Sequence, residues 1–348
     1  MKKSIFTLCL CVLVISAGLL VTSCSKNDGK TLYLFNWTYY TPDSVLKQFE
    51  EEFGVKVKVD SYASNEEMFA KLMAGASGYD IVFPSQDYVS IMIKQDMLQE
   101  IDLTKVPNAK NINPIVLEKA AYDSTMKFSV PYYMGAAGIA VNKTKVTDYE
   151  KSWSIFANKD LNQRMCMLDD MREVIGDALA FLGYSVNSLN PEELAQAQEL
   201  VISQWKPNLV KFDAEGFGKS FASGDFWVVQ GYAEVVFGEI PEEKWDTVDF
   251  FIPKEGGPMY IDSMCVLKNA KNYDLAMEFI NFIHRPEIYA QFLDEFHFPS
   301  SVNPAAEAFM TKKPMYQAEE MNPCEIKEDL AEGLAVYNEI WQRIRFTD

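Results

Sequence analysis

LYLFNWTYYTPDSVLKQFEEEFGVKVKVDSYASNEEMFAKLMAGASGYDIVFPS, residues 32–85, decides the fold. LYLFN (32–36) is an apolar run of strand length. Thr41-Pro42 then offers a helix N-cap with proline at the first helical position. Val45, Leu46, Phe49 and Phe53 follow at helical spacing, and Gly54 supplies the stop. VKVKV (55–59) alternates strictly, as a half-buried strand does. Ser64 with Glu67 three residues on is a capping box, and Met68, Phe69 and Leu72 give the helix behind it an apolar face. Gly75 and Gly78 break that helix, and YDIVF (79–83) is a third strand stopped by Pro84. The order β-α-β-α-β opens a doubly wound parallel sheet.

A second alternation begins after Pro131. Strands are expected at 137–142, 165–168, 209–212, 226–230, 247–252 and 259–267, with helices at 172–183 and 191–205. Helices at 272–284 and 286–296 flank the Arg285-Pro286 break. An amphipathic helix from about Glu328 to Arg345, using Leu330, Leu334, Tyr337 and Trp341, closes the chain. At the other end, Lys2 and Lys3 precede an apolar stretch from Ile5 to about Val21, too short and too terminal for a spanning helix. It ends in Val21-Thr22-Ser23-Cys24, which resembles a bacterial lipobox. That resemblance implies removal of residues 1–23 and acylation of Cys24, the alternative being an ordinary signal peptide. Residues 24–30 read as a polar tether.

The 348 residues suggest about two domains, and 48% apolar residues suffice for a real core. With 32 basic against 50 acidic residues the formal net charge is −18. That excludes a basic nucleic-acid footprint and charge-driven docking on anionic lipid. The only two histidines, His284 and His297, exclude a histidine-rich metal site. Cys9 and Cys11 leave with the leader. Cys166, Cys265 and Cys324 are widely spaced and odd in number; one pair could bridge, and buried free thiols are the simpler reading.

In open α/β sheets ligands bind beyond the carboxyl ends of strands. Those ends read Asn36-Trp37-Thr38-Tyr39-Tyr40, Pro84-Ser85-Gln86-Asp87-Tyr88 and Asp169-Asp170-Met171-Arg172-Glu173, with Tyr260 and Asp262 in the 259–267 strand. Aromatics and carboxylates dominate, without a nucleophile–base pair. Each also has a structural explanation. Trp37 and Tyr40 suit the rim of a core. Asp169 or Asp170 suits a helix N-cap, with Glu173 as its first-turn acid. Asp87 suits a turn. Asp262 is harder to explain so, because a buried carboxylate needs a partner and Ile261, Met264 and Val266 offer none.

Taken in order, NWTYY (36–40), SNEEMFAKL (64–72), YDIVFPS (79–85), PYYMGAAGIAVN (131–142), DDMREV (169–174), PKEGGPMYIDS (253–263) and KNAKNYDLAMEFINFIHRPE (268–287) resemble the bacterial spermidine/putrescine-binding proteins of ABC-type polyamine importers. The likeness spans essentially the whole mature chain. It implies a two-lobed α/β binding protein, each lobe a mixed sheet flanked by helices, with the ligand between lobes that close by hinge motion. The lobes implied are 31–136 with 260–303, and 137–259 with 304–348. It implies a monomeric, lipid-anchored polyamine receptor of the cell envelope that works with importer permease subunits and takes no cofactor, metal or nucleic acid. By position Trp37, Thr38, Tyr40, Ser85, Asp170, Glu173, Tyr260 and Asp262 match ligand contacts. Carboxylates pair with ammonium groups, and aromatic faces cover methylenes.

The chain departs from the pattern at four positions. Tyr39 stands for a glutamate, Asp87 for a tyrosine, Gln230 for a tryptophan wall that Tyr232 could replace, and Lys327 for a neutral amide. The first two would exchange one carboxylate for another at the same end of the cleft. Lys327 either points to solvent, or pairs with Glu173 or Asp262 and occupies part of an amine site, favouring a shorter diamine or a different ligand. Two other roles fit the residues: a ligand sensor of the same fold, or an envelope hydrolase using Asp170 and Glu173 or Asp262 as its acids. No G-x-S-x-G motif supports the latter.

Overall fold

The computed structural model describes residues 30–347 except Tyr39 and Ala63. The leader, Cys24 and all of the tether but Lys30 lie outside the described residues, as does Tyr39. Two sheets form. The first contains β1 (Thr31–Trp37), β2 (Lys56–Tyr62), β3 (Ile81–Val82), β4 (Ser129–Ala136), β10 (Pro258–Val266) and β11 (Glu325–Ile326), and the second β5 (Gly138–Asn142), β6 (Met165–Met167), β7 (Leu209–Phe212), β8 (Val228–Gly231) and β9 (Val248–Phe251). The first runs β11-β10-β3-β1-β2 with β4 also on β10, the second β7-β6-β8-β5-β9.

The opening stretch folds as its pattern requires. β1 pairs parallel with both β2 and β3. The helix Asp43–Phe53 buries Val45 and Phe49, and Gly54 ends it in the left-handed region at φ 64°. One detail differs: Pro42 rather than Thr41 is the N-cap, and the Thr41 hydroxyl instead accepts from Asn36 Nδ2 at 2.9 Å. Ser64 caps Asn65–Met73 by accepting from the Glu67 N–H. Antiparallel pairing of β10 with β3 and β4 makes the first sheet mixed, and that of β5 with β8 and β9 makes the second mixed.

Three crossings join the lobes: Ala137 between β4 and β5, residues 252–257 between β9 and β10, and the segment after β11. The last corrects a boundary. Residues 304–326 do not go with the second lobe. β11 pairs with β10, and the Tyr316 hydroxyl meets that of Tyr133 on β4 at 3.1 Å. The second lobe regains the chain with the helix Leu334–Phe346, whose Tyr337, Ile340, Trp341 and Ile344 enter its core. That helix begins several residues later than its amphipathic pattern suggested. Cys166, Cys265 and Cys324 are buried and unbridged, and burial raises the pKa of each thiol.

Candidate functional site

A cleft of about 710 Å³ opens between the lobes where the strand ends converge. The first lobe contributes Trp37, Tyr40, Ser85, Asp87, Tyr260 and Asp262, the second Asp170, Tyr232 and Glu234, and the third crossing Lys327. Side chains as far apart in sequence as Trp37 and Lys327 thus meet in one place, at the end of the sheets where an open α/β topology puts its ligand.

Asp262 is the best-defined member. It is buried in β10, at a register shift between Asp262 and Ser263 in the pairing with β4. Such an irregularity re-aims a side chain. Its missing partners come from distant strand ends: Ser85 Oγ donates to Oδ1 at 2.6 Å and Tyr40 OH to Oδ2 at 2.7 Å. Burial raises the Asp262 pKa to about 6, against the pull of those two hydrogen bonds. Ser85 is itself held by Asn65, whose Nδ2 donates to its hydroxyl at 3.0 Å. Trp37 is fixed by its indole N–H on the Phe83 carbonyl, 2.8 Å, and leans on Tyr62 at 4.8 Å.

Asp170 fulfils the capping role. Its Oδ1 accepts from the N–H of Arg172 and Glu173 at 2.8 and 3.1 Å, starting the helix Met171–Phe181. It also lines the cleft. Glu173, one turn in, is fully buried and sits behind Lys327, whose Nζ lies 2.5 Å from Oε1. Lys327 therefore does not point to solvent; 16% of its side chain is exposed. Burial opposes the Lys327 charge, but Glu173 and Asp170 outweigh it and raise the ammonium's pKa. Burial raises that of Glu173, with Lys327 opposing. Asp87, in the first turn of Gln86–Lys94, faces the cleft, and burial raises its pKa.

Three expected contacts, Glu173 behind Lys327, Gln230 and Thr38, do not line the cleft. Gln230 is wholly buried beneath it: its Oε1 accepts from the Leu168 N–H at 2.9 Å and its Nε2 donates to Asp177. Tyr232 provides the aromatic wall instead, 6.0 Å from the Tyr260 ring. Thr38 is exposed and turns to the Tyr62 carbonyl, 3.4 Å from its hydroxyl. Four carboxylates that line the cleft escaped the sequence reading: Glu66, Glu234, Glu328 and Asp329. Glu234 sits in the first turn of the helix Ala233–Gly238, lines the cleft, and is raised by burial to about 7. Only its place two residues after the Tyr232 wall could have flagged it.

Two mixed α/β lobes, three crossings and an acidic, aromatic cleft between them define a solute-binding protein that holds its ligand between lobes, the periplasmic-binding-protein fold. The chain belongs to the bacterial extracellular solute-binding protein family, which it matches over residues 44–322. Among its relatives, the spermidine/putrescine-binding periplasmic protein of Salmonella typhimurium is 33% identical, across 95% of this chain and 97% of its own. The putrescine-binding periplasmic protein SpuD of Pseudomonas aeruginosa is also 33% identical, across 88% of each. Among solved structures, the TpPotD lipoprotein of Treponema pallidum superposes with a TM-score of 0.88 at 54% identity, covering 91% of this chain and all of that one. The spermidine/putrescine ABC transporter substrate-binding protein PotD of Streptococcus pneumoniae gives 0.83 at 27%, covering 91% and 98%.

Proposed function

We propose that this protein captures polyamines, putrescine or spermidine, outside the cytoplasm and hands them to the permease of an ABC importer. The observation that carries this reading is the meeting of Asp87, Asp170, Asp262 and Glu234 with Trp37, Tyr40, Tyr232 and Tyr260 in one cleft. An alkyl chain ending in ammonium groups satisfies both sets: carboxylates take charge-assisted hydrogen bonds and rings cover the methylenes. A cation also relieves the mutual repulsion of the acids and so favours the closed lobes. The names of the relatives support the same ligand class. In this reading the acids bind and catalyse nothing, the protein acts as a monomer, and a lipid on Cys24 holds it on the membrane.

Isothermal titration with putrescine and spermidine tests the reading. Saturable one-to-one binding without consumption of the amine is expected. An anion or sugar carried through native purification, with no heat from either amine, would overturn it. Mass spectrometry of Cys24→Ala against the parent checks the anchor: acylation is expected only in the parent.

A further inference from the structure

The lobes also touch outside the cleft. His297 closes the helix Pro286–Phe296 of the first lobe, in the left-handed region at φ 52°. Its Nδ1–H donates to the Lys313 carbonyl at 3.1 Å, and its own carbonyl accepts from the Met315 N–H at 2.9 Å. Against the ring so fixed stands Trp245 of the second lobe, edge-on, with centroids 4.5 Å apart. Glu242 Oε1 of the second lobe lies 3.8 Å from the histidine Nε2, and Phe250 on β9 meets Tyr316 of the first lobe at 5.5 Å. None of these side chains lines the cleft. The short helix Ala233–Gly238 connects the two places. Tyr232 and Glu234 at its start line the cleft, whereas Phe237 near its end lies 4.9 Å from the Trp245 ring. The Trp245 indole N–H donates to the Ile240 carbonyl at 2.9 Å, just beyond the same helix.

The cleft as it stands is wide. A volume of about 710 Å³ suits a drug-sized ligand, and a linear diamine fills only part of it. Groups on both walls reach so thin a chain only when the lobes approach. That motion carries Tyr232 and Glu234 towards Tyr260 and Asp262, and through the same helix it draws Trp245 across His297. Ring pairs hold over a narrow range of separation and tilt, so the contact loosens as the cleft narrows. We propose that Trp245 and His297 form a clasp between the lobes that stabilises their open arrangement, is released on closure, and so lowers ligand affinity from outside the cleft. With the closed form held as a minor population, the apparent affinity falls in proportion to that population. Both are positioning residues, acting on the ligand only through where the lobes stand. The inference rests on the polyamine reading above for its ligand alone.

Calorimetry with putrescine at pH 8, beside small-angle X-ray scattering of the unliganded protein, tests this on the wild type, Trp245→Ala, His297→Asn and the double variant. Asparagine tolerates the left-handed backbone at position 297 while removing the ring. Each single variant should bind putrescine about three- to tenfold tighter. The double variant should bind no tighter than the better single one, because both changes remove the same contact. The unliganded radius of gyration of each variant should fall below that of the wild type. A packing contact with no part in lobe motion would, when lost, lower the melting temperature and leave affinity equal or weaker, so tightening separates a clasp from mere support. Equal or weaker binding in either single variant overturns the proposal, as does a gain that multiplies in the double variant or an unchanged radius of gyration. A wild type that binds neither putrescine nor spermidine refutes the polyamine reading instead, and the radius of gyration then decides the clasp by itself.

Discussion

At Asp262 two demands oppose each other. Burial favours the neutral acid and lifts its pKa to about 6, whereas an ammonium ligand requires the carboxylate. Glu234, at about 7, has the same conflict. Amine affinity should therefore be highest above pH 7, begin to fall as Glu234 takes up its proton and fall more steeply below pH 6, where Asp262 does so too, each carboxylate adding about a tenfold loss per unit below its own pKa. Calorimetry from pH 5 to 8 checks this, and a flat profile would refute it. Asp262→Asn should cost about 1.5–3 kcal/mol of binding, the usual worth of a hydrogen bond to a charged group. The residue was legible because a carboxylate in an apolar strand requires an explanation. Its partners were not, since Tyr40 and Ser85 are 222 and 177 residues away. Thr38 and Gln230 were misplaced for a related reason. Position after a strand says which end of the sheet a residue occupies, but not which way its side chain turns. Gln230 turns inward because the buried Asp177 carboxylate and the Leu168 N–H both need it.

Among the elements, the helix Met171–Phe181 bears most on the site, because its cap lines the cleft and its first turn carries Glu173. Cap and ligand group can be separated. Asparagine caps as well as aspartate, whereas alanine does not. Asp170→Asn should keep the melting temperature but lose amine affinity, while Asp170→Ala should lose both, with about 1 kcal/mol of stability. Thermal melts beside calorimetry read the two effects, and unchanged affinity in Asp170→Asn would reduce the residue to a cap. The same helix fixes the distance between lobes at Gly176, where an added Cβ would lie 2.4 Å from Pro258 Cγ at the start of β10. Gly176→Ala should weaken amine binding and stability together, because the helix must move to make room; native values for both would show that Pro258 can give way. Elements with a clear period were legible: Pro286–Phe296 matches its pattern at both ends, and β7 does too. β4 was not. SVPYYMGA is buried on both faces, so no alternation marks it. The two-residue β11 has no pattern to show, and that is why residues 304–326 went to the wrong lobe.

On the scale of the molecule, the cleft acids link ligand, protons and stability. Asp262 and Glu234 in the cleft, and Asp177 buried beneath it, all have raised pKa values in the folded protein, with burial the first cause. The native state therefore holds more protons than the unfolded chain. The stability these groups contribute is full below the ordinary carboxylate range near pH 4 and declines as pH rises through 6 and 7. Repulsion among the acids behind a formal charge of −18 runs in the same direction. Exposed ion-paired acids run the other way; Asp60, for example, is held low by Lys71 and Tyr79. The pH dependence of the unliganded protein thus mixes several sources, but the increment added by an amine does not. A ligand at one hundred times its Kd stabilises the native state by about 2.7 kcal/mol. That saturation is reached only where Asp262 and Glu234 are ionised. Melting curves at a fixed putrescine concentration should show a large upward shift at pH 8 that shrinks towards pH 5, while the unliganded midpoint changes by its own separate course. A ligand-induced shift of equal size at both pH values would mean that the ammonium groups are held by something other than these buried carboxylates.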